Sequence, residues 1–285
     1  MGFIRKFSRE VVLGVLILSN IFVWKAIYER RSSDTLSVYF LDVGQGDAVL
    51  IDSPQHNRVL IDGGKNRKVL SELGKILPFA DRRIDVVVAT HPDADHIGGL
   101  PEVVSRYKVG IFLESGAESD NNIDDELKKR VEEKNIPSVL ARRGIVIDFG
   151  DGAKLTILFP NQDVSNLDPN DASIVTRLTY GEESFLLTGD AELRTENILL
   201  NLDSSALDSD VLKVGHHGSR SSTFILFAQA VSPEYAVISA GKDNTYGHPH
   251  KEVLDILSQV RAKVLSTIDL GTIIFKTNGK TLEVK

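Results

Sequence analysis

Residues Thr90 to Gly99 read THPDADHIGG and follow the apolar run Val86-Val87-Val88-Ala89. Two histidines and two aspartates therefore fall within six positions, on the turn where a buried strand ends. On a turn leading into a helix, alternate residues can point into one cleft, while the adjacent pair Asp95-His96 can diverge towards two neighbouring positions. Imidazole suits zinc and iron, and carboxylate suits harder ions such as manganese or magnesium. Pro92 stiffens the entry and Gly98-Gly99 allow close backbone approach. Capping a helix start needs only one carboxylate. Two histidines and a second aspartate are left over, and they require a fold that brings further ligands to the same place.

The rest of the chain supplies such a fold. From residue 34 to the C-terminus, strand and helix patterns alternate without any fixed-period repeat. LSVYFLDVGQGDAVLIDS, broken by a Gly-Gln-Gly turn, and NRVLIDGG read as consecutive strands. Strands are also expected at Ile84–Ala89, KLTILFP, ASIVTRLTYG, ESFLLTGD ending at Asp190, SDVLKVGHHGS ending at His216-His217, and EYAVISAG, with a closing hairpin around Asn278-Gly279. Helices are expected over Leu70–Phe79, Ile97–Tyr107, Glu126–Lys134, Ala191–Leu200, Thr223–Val231 and HKEVLDILSQV. Two strand-rich halves, each with helices, predict one α/β domain of two facing sheets with helices outside. Polar residues collect where strands end: Asp42, Gln45, Asp47, Asp62, Asp190, His216-His217 and His248. Taken singly, each reads as a turn former or a helix cap. Their joint occurrence at strand ends, where such architectures place ligands, points to one site.

Composition narrows the chemistry. A net charge of -7 excludes a general basic surface for nucleic acid, since phosphate affinity comes mainly from Lys and Arg. A phosphate substrate would have to be captured locally by bound cations. With no cysteine, disulfides, thiolate zinc sites and Cys nucleophiles are excluded. Ahead of the domain, Val11 to Tyr28 is almost wholly apolar, with Arg5, Lys6 and Arg9 before it, a Lys25 near its end, and Trp24 and Tyr28 suited to an interfacial belt. Its length matches the roughly 17 to 25 residues that cross a bilayer. Residues 1–33 are therefore expected to be a signal anchor with a polar linker from Glu29 to Thr35, and residues 34–285 the catalytic domain. A cleaved signal peptide is the rival reading, although no small-x-small cleavage site follows.

His91-x-Asp93-x-Asp95-His96 resembles the H-x-[HD]-x-D-H signature of the metallo-β-lactamase superfamily. Together with LDVGQGDA, LIDGG, LLTGDAE, VLKVGHHGS and YGHPH, in order from Leu41 to His250, it resembles the hydrolase domain of ComEC-type competence proteins. The resemblance implies an αββα sandwich of two mixed sheets. It also implies His91 and Asp93 as ligands of a first metal site, Asp95 and His96 as ligands of a second, and Asp190 as the bridge. His216 matches the later histidine of the second site, with His217 as the alternative. Where the family usually has another first-site histidine, this chain reads DPNDASIV, so Asn170 or Asp171 takes its place. One ion or two, zinc or manganese, fit this set.

The implied chemistry is metal-dependent hydrolysis. Asp95 would orient or deprotonate a water, His217 or His248 would protonate the leaving oxygen, and Ser219 with the Gly218 backbone would contact a phosphate oxygen. The resemblance implies a phosphodiester substrate, single-stranded DNA foremost, at the outer face of a bacterial membrane. Small phosphoesters, cell-wall phosphodiesters and β-lactams are alternatives on the same fold, and a catalytically inactive, membrane-tethered binding module is the alternative of another class.

Overall fold

A computed structural model describes the backbone of residues 2–31 and 34–285, with side chains for residues 9–24 and 34–285. The N-terminal helix α1 (Gly2–Arg31) continues to Arg31, so the expected linker from Glu29 is helical up to that point. Residues 32 and 33, and the side chains of Arg5, Lys6, Lys25 and Tyr28, lie outside the described residues. Among the described residues no helix is long and apolar enough to cross a membrane.

The first half of the domain supplies β1 (Leu36–Phe40), β2 (Val49–Asp52), β3 (Arg58–Ile61), α2 (Lys68–Ile76), β4 (Arg83–Ala89), α3 (Ala94–Ile97), α4 (Leu100–Arg106), β5 (Lys108–Glu114), α5 (Asn122–Glu133) and β6 (Ser138–Leu140). The second half supplies β7 (Val146–Asp148), β8 (Lys154–Phe159), β9 (Val175–Tyr180), β10 (Glu183–Leu187), α6 (Leu193–Asp203), β11 (Val211–Lys213), α7 (Ile225–Val231), β12 (Tyr235–Ile238), α8 (Lys251–Gln259), β13 (Lys263–Ser266) and α9 (Thr267–Leu270). The closing hairpin, β14 (Ile273–Thr277) and β15 (Leu282–Val284), returns to the first sheet. The sheet orders are β15-β14-β1-β2-β3-β4-β5-β6 and β13-β12-β11-β10-β9-β8-β7. Both sheets are mixed: pairings from β3 to β6 and from β10 to β13 are parallel, and the others are antiparallel.

Side-chain alternation builds the layers. Val86 and Val88 of β4 and Phe185 and Leu187 of β10 point between the sheets, where they join Phe40, Ile157 and Phe275. Val87 points outward against Leu73, Val103 and Leu127 of α2, α4 and α5. Leu186 does the same against Leu199, Phe227 and Leu257 of α6, α7 and α8. The strands are thus covered on both faces, which explains why their sequences are nearly continuous apolar runs. The expected two-sheet α/β sandwich with outer helices is the observed one.

Several boundaries differ from the sequence reading, for local reasons. The helix expected over Ile97–Tyr107 is two helices, because Gly98 and Gly99 sit where a Cβ would lie 2.2 Å from the carbonyl oxygens of Lys65 and Gly63. The strand expected to reach His216-His217 ends at Lys213, since both histidines adopt positive φ, 44° and 53°, in a tight turn. Likewise β10 stops at Leu187, ahead of Gly189 at φ 53°. β5, β6, β7 and β13 were not anticipated. β6, β7 and β13 are edge strands and β5 is next to an edge, and β6 and β7 have only three residues each.

Glu196 of α6 fixes the chain that follows the His216-His217 turn. Its buried carboxylate accepts the backbone N–H groups of Thr223 at 2.6 Å and Phe224 at 3.2 Å, at the start of α7. Burial outweighs those two bonds and pushes its carboxyl up from the ordinary 4.5 to about 8. Between those two values the folded state keeps a proton that the unfolded chain has released, so this group's contribution to stability is lost as pH rises through that window. The urea-unfolding midpoint of the parent relative to Glu196→Gln is expected to fall between about pH 5 and about pH 8.5. A pH-independent difference would refute the assignment.

Candidate metal centre

Because β4, β10, β11 and β12 run in one sense across the two sheets, their C-terminal ends bring four loops together. The loop after β1 joins them: Gly46, at φ 118°, lies so close to the His-Asp turn that a Cβ there would be 1.9 Å from the Asp95 carbonyl oxygen. Backbone bonds lock these loops together, from Gly64 N–H to the Asp47 carbonyl (2.8 Å) and from Gly63 N–H to the His96 carbonyl (2.7 Å).

Ligand atoms of Asp47, His96, Asp190 and His217 gather there, all within 4.8 Å of one another, and all four residues are buried. His96 Nδ1 lies 2.8 Å from Asp62 Oδ2, and Asp62 also accepts from the Thr90 N–H (2.8 Å) and hydroxyl (2.7 Å). The ring is thereby held with Nε2 towards the cluster, 3.2 Å from Asp190 Oδ2. His217 is fixed in the same way: its Nδ1 lies 2.9 Å from the Ser239 carbonyl and its Nε2 3.2 Å from Asp190 Oδ2. Carboxylate or carbonyl partners behind an imidazole are the usual means of orienting a metal-binding histidine. Asp47 Oδ1, His91 Nε2, His96 Nε2, Asp190 Oδ1 and His217 Nε2 are buried and have no hydrogen bond. Buried polar atoms are rarely left so. Five in one place are what a cation-binding cavity presents, and the donor set fits a divalent ion such as zinc or manganese.

Charge within the cluster follows from proximity. Burial opposes protonation of His96 and His217, but Asp190, with Asp62 beside His96 and Asp47 and Asp95 beside His217, raises both well above the ordinary imidazole range. His91 goes the other way: burial and the neighbouring His96 hold it well below that range, so it presents a neutral ring with a free lone pair. Burial also raises Asp95, but the close contact with His217 and the charge of His96 prevail and keep it ionised below the usual carboxylate range. Its side chain is 27% exposed, with Oδ2 3.3 Å from His217 Nε2, so it forms the open edge of the cluster.

Sequence reasoning missed Lys213. Strand alternation aims this residue between the sheets at the very end of β11, and it is 1% exposed. Its Nζ donates to the Gly189 carbonyl at 2.8 Å, contacts Asp47 Oδ2, and lies 3.5 Å from Asp190 Oδ1. A lysine inside the apolar run Val211-Leu212-Lys213-Val214 was the available signal. Ser173 was missed as well. Its hydroxyl lies 3.2 Å from His91 Nδ1 and accepts from the Asp190 N–H at 3.1 Å.

The remaining expected site residues are placed as follows. Asp93 lies with Oδ2 3.7 Å from His91 Nε2. His216 Nδ1 is 2.8 Å from Glu192 Oε1, with Nε2 3.9 Å from Asp190 Oδ2. His248 packs 5.5 Å from the His216 ring and 6.2 Å from the His217 ring, and burial with its imidazole neighbours pushes it down to about 4. Ser219 bonds to Ser221 at 2.9 Å. Asp42 pairs with Lys68 at 2.7 Å, and Gln45 accepts from the Gly241 N–H at 3.2 Å, so both brace loops. The Asn170 N–H donates to Asp168 and the Asp171 carbonyl accepts from Thr195, with Arg194 3.8 Å from Asp171 Oδ2, while the side-chain oxygens Asn170 Oδ1 and Asp171 Oδ1 are buried without a hydrogen bond.

Residues 41–242 match the family model described as the metallo-β-lactamase superfamily. The chain is 33% identical to ComE operon protein 3 of Bacillus subtilis, over 97% of this chain and 37% of that protein. It is 30% identical to competence protein ComA of Neisseria gonorrhoeae, over 92% of this chain and 35% of that protein. It thus spans little more than a third of the length of these curated relatives. The metallo-β-lactamase fold protein YhfI of Bacillus subtilis shares the fold, with a TM-score of 0.54 at 14% identity, over 86% of this chain and all of that one.

At a hundredfold excess of manganese or zinc over its Kd, binding is expected to add about 2.7 kcal/mol to stability, read as a rise in Tm. His217→Ala should abolish that gain and His216→Ala should leave most of it; the reverse result would exchange the two histidines. Lys213→Met is expected to destabilise the metal-free protein by about 3–5 kcal/mol, since it leaves Asp47 and Asp190 short of a buried cation. Added divalent ion should restore part of the loss, and a chemical-denaturation series with and without metal would measure both.

Proposed function

The chain belongs to the metallo-β-lactamase superfamily, and we propose that it is a divalent-metal-dependent phosphodiesterase acting on single-stranded DNA at a bacterial cell surface. The observation that carries the hydrolase reading is the set of buried ligand atoms of Asp47, His96, Asp190 and His217, which converge without hydrogen bonds. These four would hold one ion firmly, and His91 with Asp93 would border a second, looser position. When bound, a divalent ion acidifies a water and polarises the bond under attack. The DNA reading rests on the resemblance to ComEC-type competence proteins and on a relative named as a competence protein.

The chain's own residues supply the rest. Asp95, ionised and at the open edge, orients the attacking water and accepts its proton. Glu192 fixes His216 through Nδ1 and leaves Nε2 as the free nitrogen on the cleft side. His216 is then the group placed to pass a proton to the leaving oxygen, with the neutral ring of His248 packed against it. Ser219 and the Gly218 backbone, on the same turn, border the phosphate.

The anchor reading draws support from α1, where Val11, Leu13, Leu16, Leu18, Phe22 and Trp24 are each more than half exposed. The chain enters the domain at the end remote from the metal centre, where Tyr180 Oη donates to the Asp34 carbonyl at 3.0 Å. A tethered domain would therefore turn its cleft away from the membrane. A small phosphoester is the second reading, favoured by the net charge of -7.

The 285-residue chain in detergent is expected to cleave single-stranded DNA with manganese or zinc and to stop on chelation. Asp95→Asn and His96→Ala should each lower the rate by about two orders of magnitude or more. Undiminished cleavage in both variants would overturn the site. Turnover of a small chromogenic phosphodiester with none of DNA would shift the substrate to the second reading.

A further inference from the structure

Tyr246 is 65% exposed. A single exposed aromatic is ordinary on a protein surface, but three features set this one apart. The first is its position. Its ring stacks on His248, with centroids 5.6 Å apart and planes at 22°, and the His248 ring lies 6.2 Å from that of His217. Tyr246 is therefore no more than about 12 Å from a candidate metal ligand. The second is rigidity. The Asn244 side chain donates to the carbonyls of Gly241 (2.7 Å) and His248 (2.9 Å) and accepts from the His248 N–H (2.9 Å), while Gln45 holds Gly241 from the neighbouring loop. The ring thus projects from a braced loop. The third is free space: Gly247, at φ 76°, would meet nothing within 4 Å if it carried a Cβ.

We propose that Tyr246 is a stacking platform for a nucleobase flanking the scissile phosphate of a single-stranded nucleic acid. This inference rests on the phosphodiesterase reading above. A chain of net charge -7 has little general grip on a polyanion, so affinity beyond the metal centre must come from contacts that carry no charge. Base–aromatic stacking is such a contact and tolerates any sequence, because every base has a π-face. Tyr246 is the exposed aromatic of the domain that borders the metal centre; the other large one, Phe79, lies in the connection between α2 and β4, at the opposite end of the sheet.

Tyr246→Ala in the 285-residue chain is expected to raise KM for a single-stranded oligonucleotide by about 5- to 100-fold, with kcat within about twofold. Hydrolysis of methyl p-nitrophenyl phosphate, which has no flanking base, should be unchanged. Tyr246→Trp should retain activity, and its indole fluorescence should be quenched by oligo(dT) but not by an oligomer of abasic residues. An unchanged KM in Tyr246→Ala, or equal quenching by both oligomers, would overturn the platform. If no phosphodiester is hydrolysed at all, the functional reading fails, and the quenching comparison still decides whether a base rests on this ring.

Discussion

Asp47, Asp62 and Asp190 are buried within one cluster, and that concentration of negative charge is the constraint around which the end of the sandwich is built. Removing an ionised carboxylate from water costs several kcal/mol unless cations and donors replace the solvent. Lys213 answers part of the demand, and the raised His96 and His217 answer more when no metal is bound. The compensation is local and directional. Asp62 spends its oxygens on Thr90 and His96, whereas Asp47 Oδ1 and Asp190 Oδ1 stay without hydrogen bonds. Asp47 and Asp190 thus reach the cluster with an oxygen still uncommitted.

This arrangement needs both sheets. Asp47, Asp62 and His96 come from the strand ends and connections of the first sheet, and Asp190, Lys213 and His217 from those of the second. The interior packed by Val88, Phe185, Leu187 and Phe275 sets the distance between the two groups. Core packing and ligand geometry are therefore one property: a cavity between the sheets would be felt as a shift between His96 and His217.

The layered fold was legible because buried strands and amphipathic helices carry distinct periods. The cluster at His91–His96 was legible because four potential ligands in six residues exceed what a helix cap requires. Three things were not. One was the place of Asp47 within the ligand cluster: it stood out only as a candidate site residue at a strand end, since the fold of the β1–β2 loop, permitted by Gly46, is what turns it inward. Lys213 sat in a strand pattern that revealed nothing of its charge partners until β10 and β11 were placed side by side. The choice between His216 and His217 depended on two consecutive positive φ values, which point the rings in different directions, one to Glu192 and one to Asp190.

The same geometry bears on the segment Asp168–Ser173, where the sequence departs from the family pattern. The backbones of Asn170 and Asp171 bond to Asp168 and Thr195 while Asn170 Oδ1 and Asp171 Oδ1 stay uncommitted, and Ser173 meets the back of the His91 ring through Nδ1. His91 thus has an oriented and uncommitted Nε2, but its nearest acidic neighbour, Asp93, is 44% exposed and 3.7 Å away. A cation entering between Asp47, His96, Asp190 and His217 meets ligands already gathered and desolvated by the fold. One settling beside His91 would have to draw Asp93 out of solvent and order it. Preorganisation of this kind lowers the free energy of binding at the first position and leaves the second dependent on what substrate oxygens add. On the proposed reading, occupancy of the second position would therefore be a property of the substrate complex more than of the free protein.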